Sequence, residues 1–302
     1  MTYATLPVAA QPSRLRHFVQ GYADSKIAVA ALLVLMLVLL SALLAPWVSP
    51  QNPYDLAHIN VMDARLAPGT VSALSGMQHY LGTDEQGRDL LSAIIYGLRI
   101  SLFVGFTATA IALSIGAVLG MTAGYYGGRV ESFIMRLADI QLSFPAILIA
   151  LILIAVLGQG VGKVIAALVA VQWAYYARTA RGAALVERKK EYVEAAVLMR
   201  LSTARIVMRH LLPNCLPPLV VVATLQIAAA IALEATLSFL GLGLPITEPS
   251  LGLLIANGFQ FMMSGKYWMS TFPGIALVIT IVAINLVADQ LRDVLNPRLQ
   301  GA

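Results

Sequence analysis

Residues 178–213 read RTARGAALVERKKEYVEAAVLMRLSTARIVMRHLLP and lie between two long apolar runs. They carry eight Lys/Arg residues: Arg178, Arg181, Arg188, Lys189, Lys190, Arg200, Arg205 and Arg209. So much charge cannot rest in hydrocarbon, so the stretch sits in water, and its helix-forming composition suits a surface offered to a partner. Everything around it reads as a membrane protein that this island operates.

Composition sets that class. Of 302 residues, 59% are hydrophobic and 12% charged, about half the charge of an ordinary soluble domain. A soluble chain with so little charge could not cover its surface. The single Cys215 excludes an internal disulfide framework. The formal charge of +5 is carried in loops between apolar runs, a pattern of membrane orientation that argues against nucleic acid as a partner and for membrane lipid.

Six apolar runs are legible. Residues 27–46 run uncharged for twenty residues, enough to cross a core of about 30 Å. The run is longer than a cleaved signal peptide uses and reads as a retained first transmembrane helix after a polar segment, 1–26. A polar connection, 47–99, leads to the remaining five-helix core, 100–290. Its runs are 100–128, 140–158, 164–177, 215–233 and 271–288, and a tail, 291–302, closes the chain. Placing the N-terminus inside puts fifteen of the twenty Lys/Arg residues on the inner side. The positive-inside rule then makes both termini, and the island 178–213, cytoplasmic.

Gly116, Gly120 and Gly124 make two Gly-xxx-Gly steps in the second run, read first as packing within the bundle and second as a dimer face. Gly158-Gln-Gly-Val-Gly-Lys163 imitates a phosphate loop, but the motif's first glycine would fall on Leu157 and Val164 replaces the Ser/Thr, so it reads as an outer turn. His17, His58, His79 and His210 show no metal-ligand spacing. No catalytic constellation is visible, so no catalytic, cofactor or metal residue is assigned.

Ionisable groups at membrane depth are costly and mark pathways. Glu234 and Asp289 are the candidates, with Gln226 and Asn285 as softer ones. Glu234 lies about 33 Å along a helix from Leu212, near the outer interface. It is read either as an interfacial residue or partner of a basic group, or as part of a pathway or gate. Within the island, Tyr192, Ala195, Ala196 and Met199 recur at helical spacing and define one mostly apolar face. Ser202 can cap a second helix over 203–212, on which Arg205 and Arg209 align, and Pro213 ends or kinks it. Two short helices between two spans form a lever.

The island resembles the EAA loop of bacterial ATP-binding-cassette importer permeases, a pattern of E-A-A-x-x-x-G followed by I and L-P. Here it reads Glu194-Ala195-Ala196-Val-Leu-Met-Arg200, then Ile206 and Leu211-Leu212-Pro213. His79-Tyr-Leu-Gly-Thr-Asp-Glu-Gln-Gly-Arg-Asp-Leu-Leu-Ser92, Tyr96-Gly-Leu-Arg-Ile-Ser-Leu102, Ser238-Phe-Leu-Gly-Leu-Gly243 and the Asn285 to Leu299 segment resemble the C-type subunit of the dipeptide, oligopeptide and nickel importers. The resemblance implies an all-α type I importer permease with six transmembrane helices and a cytoplasmic coupling helix holding Glu194, Ala195 and Ala196.

It further implies a homologous second permease, two cytoplasmic ATPases that bind ATP and magnesium, and an extracytoplasmic binding protein. The cargo would be di- or oligopeptides, with nickel complexes or glutathione as alternatives. No cofactor is expected in this chain. Arg200 stands where the family has glycine, Ala288 where it has glycine and Asn296 where it has Asp. An ATPase-independent channel or carrier is the reading from another class, disfavoured by the lack of a relay of buried acids.

Overall fold

The computed structural model of the chain describes residues 14–55, 59–73, 75–245 and 247–295. His58, residues 1–13 and the Asn296-Pro-Arg-Leu299 motif lie outside the described residues.

The apolar runs become long helices, several of them with Gly or Pro inside. After α1, Arg14–Ala23, comes α2, Lys26–Leu43, whose N-terminus is capped by Ser25 accepting from the Ala28 amide. A short α3, Ala45–Val48, ends it. The second run begins earlier than the 100–128 expected: α4 spans Leu90–Tyr126 and is capped by Asp89, which accepts from the Ser92 amide. Thirty-seven residues make about 55 Å of helix, more than a bilayer core needs.

The third run, read as one span over 140–158, is broken. Helix α5, Gly128–Leu142, and helix α6, Ala146–Leu157, meet at 91°. Pro145 explains the break, because it cannot continue a helix into the preceding residues. The inner connection expected over 125–139 is therefore mostly α5. Helix α7, Val161–Glu187, outruns the expected 164–177 at both ends. Beyond the island come α10, Leu212–Phe239, a short α11, Leu251–Phe259, and α12, Trp268–Leu295.

Among the described residues four helices are long and apolar enough to cross a membrane, five if the bent pair counts as one span. The sixth crossing expected from the sequence is α7. At 27 residues it is about 40 Å long, but Arg178, Arg181 and Glu187 make its last third polar.

The glycine steps set the central seam. A Cβ on Gly116 would collide with Trp173 O and Tyr176, on Gly120 with Ala177 O and Ala180, and on Gly124 with Ala184. The register rises together along both helices, so α4 and α7 run parallel, and the steps are spent on packing within the chain. Helix α10 runs antiparallel to α4: Gly105 abuts Ile231, while Ser101, four residues earlier, bonds Glu234, three residues later.

These registers give the bundle two ends. At one end lie the close of α4, α7 and α12 and the start of α2 and α10. At the other lie the turn at Gly158–Gly160, the loop at Gly241–Gly243 to which it is tied, and α11. The polar connection belongs to this second end. It folds into a 3-10 turn, Val61–Asp63, and a two-stranded antiparallel ladder, Thr70–Val71 with Gln78–His79, in register Thr70↔His79.

Candidate coupling site

The island is not one loop. Its first ten residues continue α7, and three of its arginines brace that helix. Arg178 pairs with Asp139, Arg181 with Glu131 through Nε at 2.6 Å, and Arg188 Nη1 donates to Gly124 O at 3.4 Å. The first two partners lie on α5, so the base of α7 is clamped against the helix that precedes it.

Helix α8, Glu191–Leu198, then leaves the bundle end. Glu191 and Glu194 occupy its first turn, where the helix dipole favours negative charge. Its entry is pinned by Glu187, whose carboxylate accepts from Lys190 Nζ at 2.6 Å and from the Tyr192 hydroxyl at 2.7 Å. Burial raises the Glu187 pKa, but those two hydrogen bonds outweigh it and hold the group below its usual range. Burial, and then the Glu187 carboxylate, push the Tyr192 phenol up to about 12, so the phenol keeps its proton and remains a donor at neutral pH.

The face expected on this helix is divided. Val193 and Ala196 are buried, packing with Ile206 and Leu211, and Tyr192 is half-buried beside them. Ala195 and Met199, expected on the same face, are exposed. Val193, larger than either alanine, takes the inward position and rotates the packed face by about one residue, or 100°. Turned away from the bundle is a ridge of Glu191, Glu194, Ala195, Leu198 and Met199, with Leu198 83% and Met199 67% exposed.

Arg200 closes α8 in the left-handed region, at φ 53°. Its amide donates to Val197 O at 2.9 Å and the Leu201 amide to Ala196 O at 3.2 Å. This is the paired bonding of a Schellman C-terminus, a position that favours glycine. An arginine thus occupies a turn that favours glycine, the residue the resembling pattern has there, and its side chain is exposed.

The second helix of the lever differs from expectation. Ser202 stands at the N-cap, but its hydroxyl makes no cap bond; its carbonyl accepts from Ile206 N instead. Three helical residues, Thr203–Arg205, form α9, and a π-helical stretch, Ile206–Leu211, runs directly into α10. Pro213 therefore does not end a helix but sits in the first turn of α10, followed by Pro217 and Pro218 within it. Prolines withdraw N–H donors, and the wider π turn accommodates the mismatch. The Asn214 side chain helps by donating to His210 O at 2.7 Å. Arg205, Arg209 and Pro213 are exposed, Ile206 is buried and Leu212 is half-buried.

The four pathway candidates are not brought together. Glu234 lies near the far end of α10, as depth along the helix predicts, but it is fully buried rather than interfacial. Its partners are hydroxyls, not a basic group: Ser101 Oγ donates to Oε2 and Ser238 Oγ to Oε1, each at 2.8 Å. The Ser250 hydroxyl reaches the same carboxyl. Gln226 is half-buried, and its carbonyl accepts from Gln172 Nε2 at 3.0 Å. Asn285 is half-buried and Asp289 exposed, both toward the C-terminal end of α12. At that end a cavity of about 730 Å³ opens between α7, α10 and α12, lined by Thr179, Glu187, Asn214, Leu225 and Arg292.

Sequence reasoning missed Val193 and Glu187, whose signals were present as a bulkier apolar residue and an acid three residues before Lys190. It also missed Ser101, separated from Glu234 by 133 residues, a pairing no local pattern carries.

Known proteins place this architecture. The family model described as binding-protein-dependent transport system inner membrane component matches residues 116–301, and that of the N-terminal TM domain of oligopeptide transport permease C matches residues 13–68. The di/tripeptide transport system permease protein DppC of Pseudomonas aeruginosa is 38% identical over 99% of this chain and 97% of its own. The dipeptide transport system permease protein DppC of Escherichia coli is 40% identical over 97% and 96%. In fold, a chain of the inward-facing MetNI methionine ABC transporter superposes with a TM-score of 0.52 at 23% identity, covering 68% of this chain and 96% of that one. This multi-pass membrane chain, with its type I importer fold, belongs to the binding-protein-dependent transport system inner membrane components and carries the N-terminal domain of the oligopeptide permease C type.

Proposed function

We propose that the chain is the C-type permease subunit of an ATP-driven importer of di- or oligopeptides, and that α8 is the element through which a cytoplasmic ATPase moves it. The peptide cargo is carried over from the relatives, whose names specify dipeptide and di/tripeptide transport. Family membership implies ATPase and binding-protein partners in general. The finer arrangement proposed is a homologous second permease, two ATPases that hydrolyse the ATP, and one extracytoplasmic binding protein, with both termini cytoplasmic.

One observation carries the coupling role. The outer ridge of α8 leaves Leu198 and Met199 in water at the bundle end, while its inner face is packed on Ile206 and Leu211 at the head of α10. A push on the ridge is therefore passed through Val193 and Ala196 to a transmembrane helix. ATP-driven closure of the partners biases the bundle between two states only because it binds them with different affinity.

Glu194→Lys tests this. The residue is exposed in the first turn of α8 and, among the described residues, bonds nothing that holds the fold, so the variant inserts normally. It should weaken ATPase association at least about tenfold, or about 1.4 kcal/mol, and abolish uptake. Normal ATPase co-purification together with normal uptake overturns the assignment.

A further inference from the structure

The groove between α2 and α4 has a polar end and an apolar end. On α4, Tyr96, Arg99, Phe103 and Phe106 recur at helical spacing along one face, and with Leu39 and Leu43 of α2 they line an open cavity of about 590 Å³. Helix α4 starts at the bundle end away from α8, so Phe106 lies two turns, about 10 Å, deeper than Arg99. Helix α2 runs the other way. Ala45, just past its end, packs on Ile95 and Tyr96, which sets Leu43 beside the rim and Leu39 one turn deeper. Trp47, exposed just beyond, marks the depth at which indole rings collect as a span leaves hydrocarbon. The rim is therefore at the membrane–water boundary and the walls are at acyl depth.

Arg99 is exposed at that rim and makes no ion pair or side-chain hydrogen bond among the described residues. Tyr54 lines the same cavity, its ring edge-on to Tyr96 with 5.5 Å between centroids. Burial, and then the charge of Glu248, push the Tyr54 phenol up, with Arg99 pulling the other way. The hydroxyl thus keeps its proton and can donate at neutral pH. Glu248 forms no ion pair with Arg99, so the guanidinium remains uncompensated. A free guanidinium beside a phenol suits a phosphate, and the phenylalanine and leucine walls below suit hydrocarbon. One kind of molecule carries both in that order along the membrane normal.

We infer that the groove binds a phospholipid of the leaflet away from α8, its phosphate on Arg99 and Tyr54 and an acyl chain along Phe103, Phe106 and Leu39. The site requires only that the chain lies in a bilayer, and it stands whether or not α8 is the coupling element.

The test uses the full chain in its membrane complex, purified in detergent and followed by native mass spectrometry as dioleoyl-phosphatidylglycerol is added. Arg99→Gln should weaken the tightest lipid adduct about tenfold, the scale of one charge-assisted hydrogen bond. Arg99→Lys, which keeps the charge and loses the fork, should weaken it less. Lys163→Gln removes another exposed cation of the same bundle end that does not line the groove, and should leave the adduct unchanged. An equal loss in the Arg99→Gln and Lys163→Gln variants means that lipid gathers on the surface at large and overturns the site. Dihexanoyl-phosphatidylglycerol should displace the adduct. Glycerol 3-phosphate, which has the phosphate and no chains, should not, and displacement by it would reduce the site to one for a free anion. In native membranes, Phe106→p-benzoylphenylalanine should crosslink to phospholipid on illumination. Crosslinking to a neighbouring protein chain instead would show that a subunit covers the groove and would overturn the proposal.

Discussion

Glu234 joins three parts of the bundle at one side chain. Ser101 brings α4 to it, Ser238 belongs to its own helix one turn on, and Ser250 is the cap of α11, accepting from the Leu253 amide at 3.2 Å. A buried carboxyl is tolerated when its oxygens are satisfied, and removing it strands the donors. Glu234→Ala should therefore cost about 2 kcal/mol through orphaned hydroxyls, with a further loss from the void. Glu234→Gln should cost less than about 1 kcal/mol, because serine hydroxyls donate to an amide oxygen or accept from an amide nitrogen equally well. Thermal unfolding of the purified protein checks the order. If alanine is as stable as glutamine, the hydroxyl cradle contributes nothing. The acid itself was legible as one of two acidic candidates at the ends of apolar runs, but its partners were not, since they meet it only after the chain has crossed the bundle.

Among the elements, α8 shows where pattern and packing part company. Periodicity located the helix and its partner, but counting two alanines as apolar put its packed face about one residue out of place, because packing rewards volume and Val193 has more of it. The glycine steps of α4 were read correctly for the opposite reason: close backbone approach needs the absence of a side chain, which a sequence states outright. The break between α5 and α6 was marked by Pro145 and overlooked, because hydropathy runs smoothly across it.

The end of α8 offers a sharper test. A non-glycine residue in the left-handed region costs roughly 1–2 kcal/mol, while glycine gives back roughly 0.4–1 kcal/mol through its freer unfolded chain. With Arg200 exposed and at φ 53°, Arg200→Gly should stabilise this turn by roughly 0.5–1 kcal/mol. Arg200→Val should destabilise it, since a branched Cβ tolerates that backbone least. Hydrogen exchange at the Arg200 and Leu201 amides, which hold the turn, reads both. Faster exchange in the glycine variant would mean that the arginine side chain holds the turn in some other way.

At the scale of the molecule, helix registers divide the exposed surface between two ends, and the charge bias supports the proposal that the α8 end faces the cytoplasm. The parallel course of α4 and α7 requires the bent pair α5–α6 to carry the chain back across the bundle, which suits the proposed six crossings with α1 and the end of α12 on one side. Gln290 Nε2 donates to Gly21 O at 2.9 Å and joins those two segments directly. Leu198 belongs to that end, and Met263, 99% exposed in the turn before α12, belongs to the other. Cys215 is the only native thiol and is buried, so replacing it with serine leaves a chain that can be labelled one site at a time. In intact cells a membrane-impermeant maleimide should label Met263→Cys and spare Leu198→Cys, and after the membrane is opened both should react. The reverse pattern would place α8 outside, where no ATP-driven partner could reach it. Labelling of both sites in intact cells would mean that the two ends do not lie across a membrane from each other, and the six-crossing reading would fall with the orientation.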